Sequence, residues 1–310
     1  MTNFLKHKKF LLLFLFPLLG GVEVGFAQQL PQYSQYMFND FVMNPAIAGR
    51  NNYWEAKSNN RYQWVGITDA PRTYILSLQG PFKNLKMGIG GTIFTDIVGP
   101  TRRTGFNMAY AYHIKLNSTY KLSFGVNAGV LQYSVDGSKI IPHDAGDPIM
   151  SPSYQSALTP DLGGGAYLYS KKLTVSLGFP QLYQANIKFF NDQVTKNSVL
   201  AQHFYGLVGY KFNLSEDFIL EPMVLVKYVA PVPVQIDGGL KLSYQGKMWI
   251  GVNYRTNDAV SVLVGYLFKD WMMFGYSYDY TITPLRKYNS GTHEVMLGLR
   301  FLPPKKKEPK

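Results

Sequence analysis

No cysteine occurs among the 310 residues. Disulfides, thiolate nucleophiles and cysteine-ligated zinc are thereby excluded, and stability in an oxidising compartment has to come from backbone pairing and burial. After the first 27 residues no stretch approaches the ~20 consecutive apolar residues that a membrane-spanning helix needs. Catalytic signatures are also missing. His113, His143, His203 and His293 fall in no HExxH or HxH spacing, so no metal or cofactor set is expected. No GxSxG elbow is present, and the one hydrolase arrangement left open is a Ser–His pair assembled across strands. Gly163-Gly164-Gly165 is followed by no helix carrying Lys-Ser/Thr and reads as relief of crowding within a strand. His143, Asp144 and Asp147 read as a solvated polar loop. The chain carries a net charge of +12, but its basic residues are scattered over segments, loops and tail. A single stripe would be needed for nucleic acid, which is not expected as a partner.

What the sequence has in quantity is aromatic and alternating: 23 Tyr and 20 Phe, recurring at segment ends and on one parity. The clearest stretch is 248–280, three segments in close succession. Even positions run Met248, Ile250, Val252, Tyr254, then Val260, Val262, Val264, Tyr266, Phe268, then Met272, Phe274, Tyr276, Tyr278, Tyr280; odd positions include Gly251, Asn253, Arg255, Ser261, Gly265, Ser277 and Asp279. A period of two over about ten residues describes a strand with different surroundings on its two faces. Both a soluble sandwich and an outer-membrane barrel satisfy that pattern.

The rest of the chain separates them. Alternation predicts strands at 54–64, 73–80, 86–95, 104–116, 121–134, 161–170, 173–179, 199–212, 218–230, 234–244, 248–255, 259–268, 271–280 and 293–301. Their even number leaves both ends of the set on one side of a membrane. The links 81–85, 117–120, 171–172, 213–217, 245–246 and 269–270 are tight. Those between them, 65–72, 96–103, 135–160, 180–198, 231–233, 256–258 and 281–292, include every long one. Short periplasmic turns with long outer loops characterise outer-membrane barrels. The prediction is an all-β chain forming a single-chain, fourteen-stranded antiparallel transmembrane barrel over residues 53–301, integral to the outer membrane.

Residues 1–27 read as a signal peptide: Lys6, Lys8 and Lys9 precede an apolar run, and Gly25-Phe26-Ala27 offers a cleavage site. Residues 28–52, with Pro31 and Pro45 and no sustained period, read as a leader or plug, its Tyr33, Tyr36, Phe38, Phe41 and Met43 wanting burial. Residues 302–310 read as a basic Pro/Lys-rich periplasmic tail. Trp54 and Trp64, ten residues apart, span roughly 23–25 Å in a tilted strand, close to the ~25 Å apolar band; Tyr266, Phe268, Tyr278 and Tyr280 complete the predicted aromatic girdles. Charges of both signs fall on the inward parity, namely Glu55, Lys57, Arg61, Glu221, Lys227, Asp237, Lys241, Arg255, Asp279, Glu294 and Arg300, and are expected to pair with one another or with a plug. On the same parity Gly265 is expected to tolerate Ser.

Several motifs, in order, carry a family likeness: Asn44-Pro45-Ala46 and Ala48-Gly49; Arg61-Tyr62-Gln63-Trp64-Val65-Gly66 with Ala70-Pro71-Arg72-Thr73; Asp96-Ile97-Val98-Gly99-Pro100; and Gly291-Thr292-His293-Glu294. Together they resemble the PorP/SprF family of type IX secretion outer-membrane proteins. The resemblance implies a non-catalytic component of the secretion and gliding machinery. Its partners would be adhesin-like cargo with a C-terminal secretion domain, periplasmic ring components and outer-membrane lipid. Asn44, Pro45, Gly49, Arg61, Gln63, Trp64, Gly66, Pro71, His293 and Glu294 are the candidate partner-binding or plug residues. A porin-like channel for small solutes and a lipid-modifying enzyme are the alternatives.

Overall fold

The computed structural model describes residues 30–140, 154–187 and 199–301. Fifteen strand segments run β1 (Trp54–Tyr62), β2 (Arg72–Pro81), β3 (Met87–Val98), β4 (Thr101–Lys115), β5 (Lys121–Asp136), β6 (Tyr154–Tyr169), β7 (Leu173–Phe179), β8 (His203–Tyr210), β9 (Phe212–Asn213), β10 (Phe218–Val229), β11 (Val232–Tyr244), β12 (Met248–Arg255), β13 (Ala259–Phe268), β14 (Met272–Thr281) and β15 (Thr292–Phe301). The short β9 continues β8 past Lys211, both pairing with β10, so the staves number fourteen. Every neighbour pair is antiparallel, and β15 pairs with β1 from Trp54↔Phe301 to Tyr62↔His293, closing the sheet on itself. Closure leaves no unpaired edge in lipid.

Alternation follows the sequence parity. In β12 to β14 the even-numbered apolar residues face out, with Val264 43% and Phe274 42% exposed, while Ser261, Leu263, Ser277 and Asp279 face in and are buried. An apolar exterior around a polar and charged interior inverts the arrangement of a soluble protein and matches a barrel in lipid. Val264→Arg places a charge near mid-strand on that exterior and should cost about 2–4 kcal/mol, read as loss of heat-modifiable barrel in denaturant titrations. The lumen-side Ser261→Ala is the matched control and should shift the midpoint little. Gly265 does not serve as that control: it faces the lumen, but the Trp249 ring lies directly over it, so a hydroxymethyl group would displace the indole.

The two ends of the barrel differ, though less regularly than link lengths suggest. At the near mouth, where β1 begins and β15 ends, the links 82–86, 116–120, 170–172, 214–217, 245–247 and 269–271 are all tight. At the far mouth 63–71, 137–153, 180–202 and 282–291 are long, but the expected long link 96–103 shrinks to Gly99-Pro100. β3 and β4 run on through it, and Gly99 takes φ 55° to make the turn. Trp64 is also placed differently: β1 stops at Tyr62, and Trp64 sits in the following link at φ 47°. The indole therefore does not continue the outward row begun by Trp54. The expected signal peptide, the tail, residues 141–153 with His143, Asp144 and Asp147, and residues 188–198 lie outside the described residues.

Candidate functional site

Inside the wall, residues 30–52 cross the lumen. Leu30 N donates to His203 Nε2 at 3.2 Å at the far mouth; from there the chain descends to Arg50 and enters β1 at the near mouth. Two short 3-10 turns, Asp40–Met43 and Pro45–Ile47, make up its only regular structure. Three or four residues make no stable helix alone, so the wall holds the segment's shape.

Burial and hydrogen bonds divide the segment in two. In the far half, Ser34 is fully buried at the centre of an ionic cluster. Its Oγ donates to Asp279 Oδ2 at 2.7 Å and accepts from Arg61 Nη1 and Arg255 Nη2, each at 3.0 Å; its N–H donates to Glu294 Oε2 at 2.8 Å. Arg61 pairs with Asp279 at 2.7 Å and Glu294 at 3.2 Å, and Arg255 with Asp237 at 3.1 Å, Asp258 at 3.0 Å and Asp279 at 3.5 Å. Tyr36 donates its phenol to Asp237 at 3.0 Å. Charges that would be prohibitive singly are tolerated because each has a partner.

The near half is mostly apolar. Phe41, Ala46, Ile47 and Ala48 pack on Ala109, Ala111 and Tyr167 of the wall, and Met43 joins Tyr36 and Met37 of the far half on Leu207, Met223 and Leu225. Asn44 fastens this half: its Nδ2 donates to Ser176 Oγ at 2.8 Å, Ala166 O at 3.0 Å and Leu177 O at 3.1 Å, while its Oδ1 accepts from Ala46 N at 2.9 Å. Gly49 N donates to Gln79 Oε1, Ser123 Oγ to Ala46 O, and Lys57 Nζ to Phe38 O. Contact is close enough that the wall is glycine where the segment touches it: a methyl group on Gly88 would meet the Ala48 carbonyl, and one on Gly125 the Ala46 backbone.

The candidate residues separate into three places. Asn44, Pro45, Gly49, Arg61 and Glu294 join segment to wall. Gln63, Trp64, Gly66 and Pro71 shape the first far-mouth link: Gln63 N donates to Pro71 O at 2.9 Å, Trp64 N to Thr292 Oγ1 at 3.0 Å, and Gly66 takes φ 104° beside the Tyr288 carbonyl. His293 faces outward on β15, its Nδ1 2.7 Å from the Tyr276 hydroxyl, so the neighbours His293 and Glu294 lie on opposite faces of the wall. Trp54, Tyr266, Phe268, Tyr278 and Tyr280 also face outward, Trp54 and Phe268 near one mouth and Tyr278 and Tyr280 near the other. Sequence reasoning passed over Ser34 and Gln79, and placed Asp96 and Arg103 in a loop. Those two are paired across β3 and β4, with Thr73 Oγ1 donating to Asp96 at 2.6 Å.

Among solved structures the chain is similar to a FadL homologue of Pseudomonas aeruginosa (12% identity, 88% of this chain and 95% of that one, TM-score 0.43). It is also similar to the CymD monoaromatic hydrocarbon channel (11%, 85% and 91%, 0.48) and the Pseudomonas putida toluene transporter TodX (8%, 85% and 92%, 0.46). No curated protein matches the chain. The model of the type IX secretion system membrane protein family PorP/SprF matches residues 25–299, the lumenal segment and all of the barrel but the last two residues of β15. The protein belongs to the PorP/SprF family of type IX secretion system membrane proteins, as an integral outer-membrane β-barrel.

Proposed function

We propose that this barrel is a sealed, non-catalytic part of the type IX machinery, supporting export or surface attachment of large adhesin-like proteins by protein–protein recognition at its two mouths. Residues 1–27 act as the export signal, and 30–52 as the plug. The near mouth faces the periplasm, where it meets ring components; the far-mouth links face outside, where cargo with a C-terminal secretion domain is held. One observation supports the reading above others: the lumen is occupied by the chain's own leader through buried ion pairs and backbone contacts. A solute path is then not the working surface. The order of motifs fits the same division, since one set seats the leader and another shapes a far-mouth link.

Photo-crosslinking from the two mouths tests this. A photoreactive residue at Lys247, exposed in a near-mouth turn, should capture a periplasmic type IX component, and one at Tyr288, 72% exposed in a far-mouth link, a secreted adhesin-like protein. Loss of adhesin display with normal solute uptake in a deletion strain should accompany this. Capture of neither, with slowed solute uptake on deletion, would move the reading to a porin.

A further inference from the structure

The far-mouth link 282–291 is held by many bonds for an outer loop. Pro284–Tyr288 forms a 3-10 turn. Asn289 fastens it at both ends, donating to Leu285 O at 2.6 Å and accepting from Gly291 N at 2.8 Å and Thr281 Oγ1 at 3.2 Å. The neighbouring link is bonded to it edge to edge, Val65 N to Gly291 O at 2.9 Å and Ser290 N to Val65 O at 2.7 Å. The link lies against the outside of β14, where Tyr278 donates its hydroxyl to Ser290 O at 2.9 Å.

Between this link and the outward rings of Tyr278 and Tyr280 is a cleft of about 510 Å³, flanked by Arg286 and Lys287. Arg286 Nη1 reaches the Tyr280 hydroxyl at 3.3 Å. No carboxylate among the described residues pairs with either cation. Two unpaired cations beside phenol hydroxyls make a receptor for an anion with several acceptor oxygens, above all a phosphate. The position narrows the source. The cleft is lined by the last outward aromatics of β14, at the level where interfacial rings meet lipid headgroups. Directly beneath, Val260, Val262 and Val264 pair with Tyr280, Tyr278 and Tyr276 across β13 and β14 and present an apolar column for acyl chains.

We propose that this cleft binds the phosphorylated headgroup of an outer-leaflet lipid of the lipid A class, its phosphate on Arg286 and Lys287 and its chains along β13. The inference rests on the far mouth facing outside and is independent of whether the lumen is sealed. The ligand needs a cation pair fixed at one height, and the bonded links 63–71 and 282–291 supply that fixity.

The full-length protein in detergent, titrated with bisphosphorylated lipid A and read by native mass spectrometry, tests the proposal. Both side chains are exposed, so Arg286→Gln with Lys287→Gln should leave the heat-modifiable barrel intact while cutting retained lipid A by about tenfold or more. Dephosphorylated lipid A should be retained as weakly by the unaltered protein, and equimolar inorganic phosphate should not displace the intact lipid. Equal retention by the double variant, or of the dephosphorylated lipid, overturns the proposal. Displacement by inorganic phosphate reassigns the cleft to a free anion and overturns the lipid. Tyr288→Cys in this cysteine-free chain should be labelled by an impermeant maleimide on intact cells; if it is not, the link is periplasmic and the proposal fails on sidedness alone.

Discussion

Removing the leader from the folded barrel should turn a silent protein into an ion-conducting one. Interior width grows with strand number: eight strands enclose space that side chains fill, and sixteen to eighteen leave an aqueous channel. Fourteen staves fall between, too wide for inward side chains alone. Residues 30–52 fill the remainder, bringing Tyr36, Phe41, Met43 and Ile47 to near-complete burial. Full-length protein in a planar bilayer should therefore pass little steady current. Deletion of the leader before folding confounds an open lumen with a collapsed one, so the cut is better made afterwards. Asn52 is exposed at the near mouth, and a protease site built at Asn51-Asn52 lets the leader be cleaved in the assembled barrel and washed out with mild urea. Stable channels appearing only after the wash are the expected result. Large channels before cleavage would show that the leader does not seal.

Arg255→Met should be among the most damaging single changes in the chain. The guanidinium is fully buried and bonds Asp237, Asp258, Asp279 and the Ser34 hydroxyl. Methionine keeps the apolar stem but not the guanidinium, leaving Asp237 without its cation and Asp279 with Arg61 alone in a site without ready access to water. Breaking one side of a buried ionic group costs about 3–5 kcal/mol, and here the same change loosens the plug through Ser34. Asp258→Asn removes a partner of the same guanidinium from its solvent side, where the carboxylate keeps 17% exposure; such a loss should stay below about 1 kcal/mol. Denaturant midpoints of the refolded protein in micelles measure both. Similar losses for the two would mean that water reaches the cluster and that the pairs contribute little.

Much of the wall was legible because lipid and lumen impose opposite demands on alternate residues. Met248–Arg255 and Ala259–Phe268 could be bounded to the residue, and Val264 and Phe274 placed outward, from parity alone. The failures occur where that demand lapses. Asp96 and Arg103 fall within the expected link 96–103, since charge near a turn resembles solvent exposure, whereas they satisfy each other inside the wall. Trp64 kept the parity of Trp54 although β1 had ended, since periodicity carries no information about φ. Gly265 looked like spare room in the lumen; only the cross-strand position of Trp249 shows that the room is taken. The leader's aromatic content announced a need for burial, but its path could not be read, because Asn44 is oriented by Ser176 and Leu177, more than a hundred residues away in the chain.

The pair Arg61 and Glu294 has a consequence for how the molecule is put together. These residues face each other across the join between first and last strands, Arg61↔Glu294 in the β1–β15 register, and the Glu294 carboxylate also takes the Ser34 and Gln35 amides. A cylinder zipped shut around empty space would keep its ion pairs but would lose the two amide donors to that carboxylate and the Ser34 hydroxyl between the two arginines. The seam is therefore most stable when the strand-free segment already lies within. The leader is thus expected to act as a mandrel for the last strand, and a chain refolded without residues 30–52 should close the β1–β15 seam less completely than the full chain.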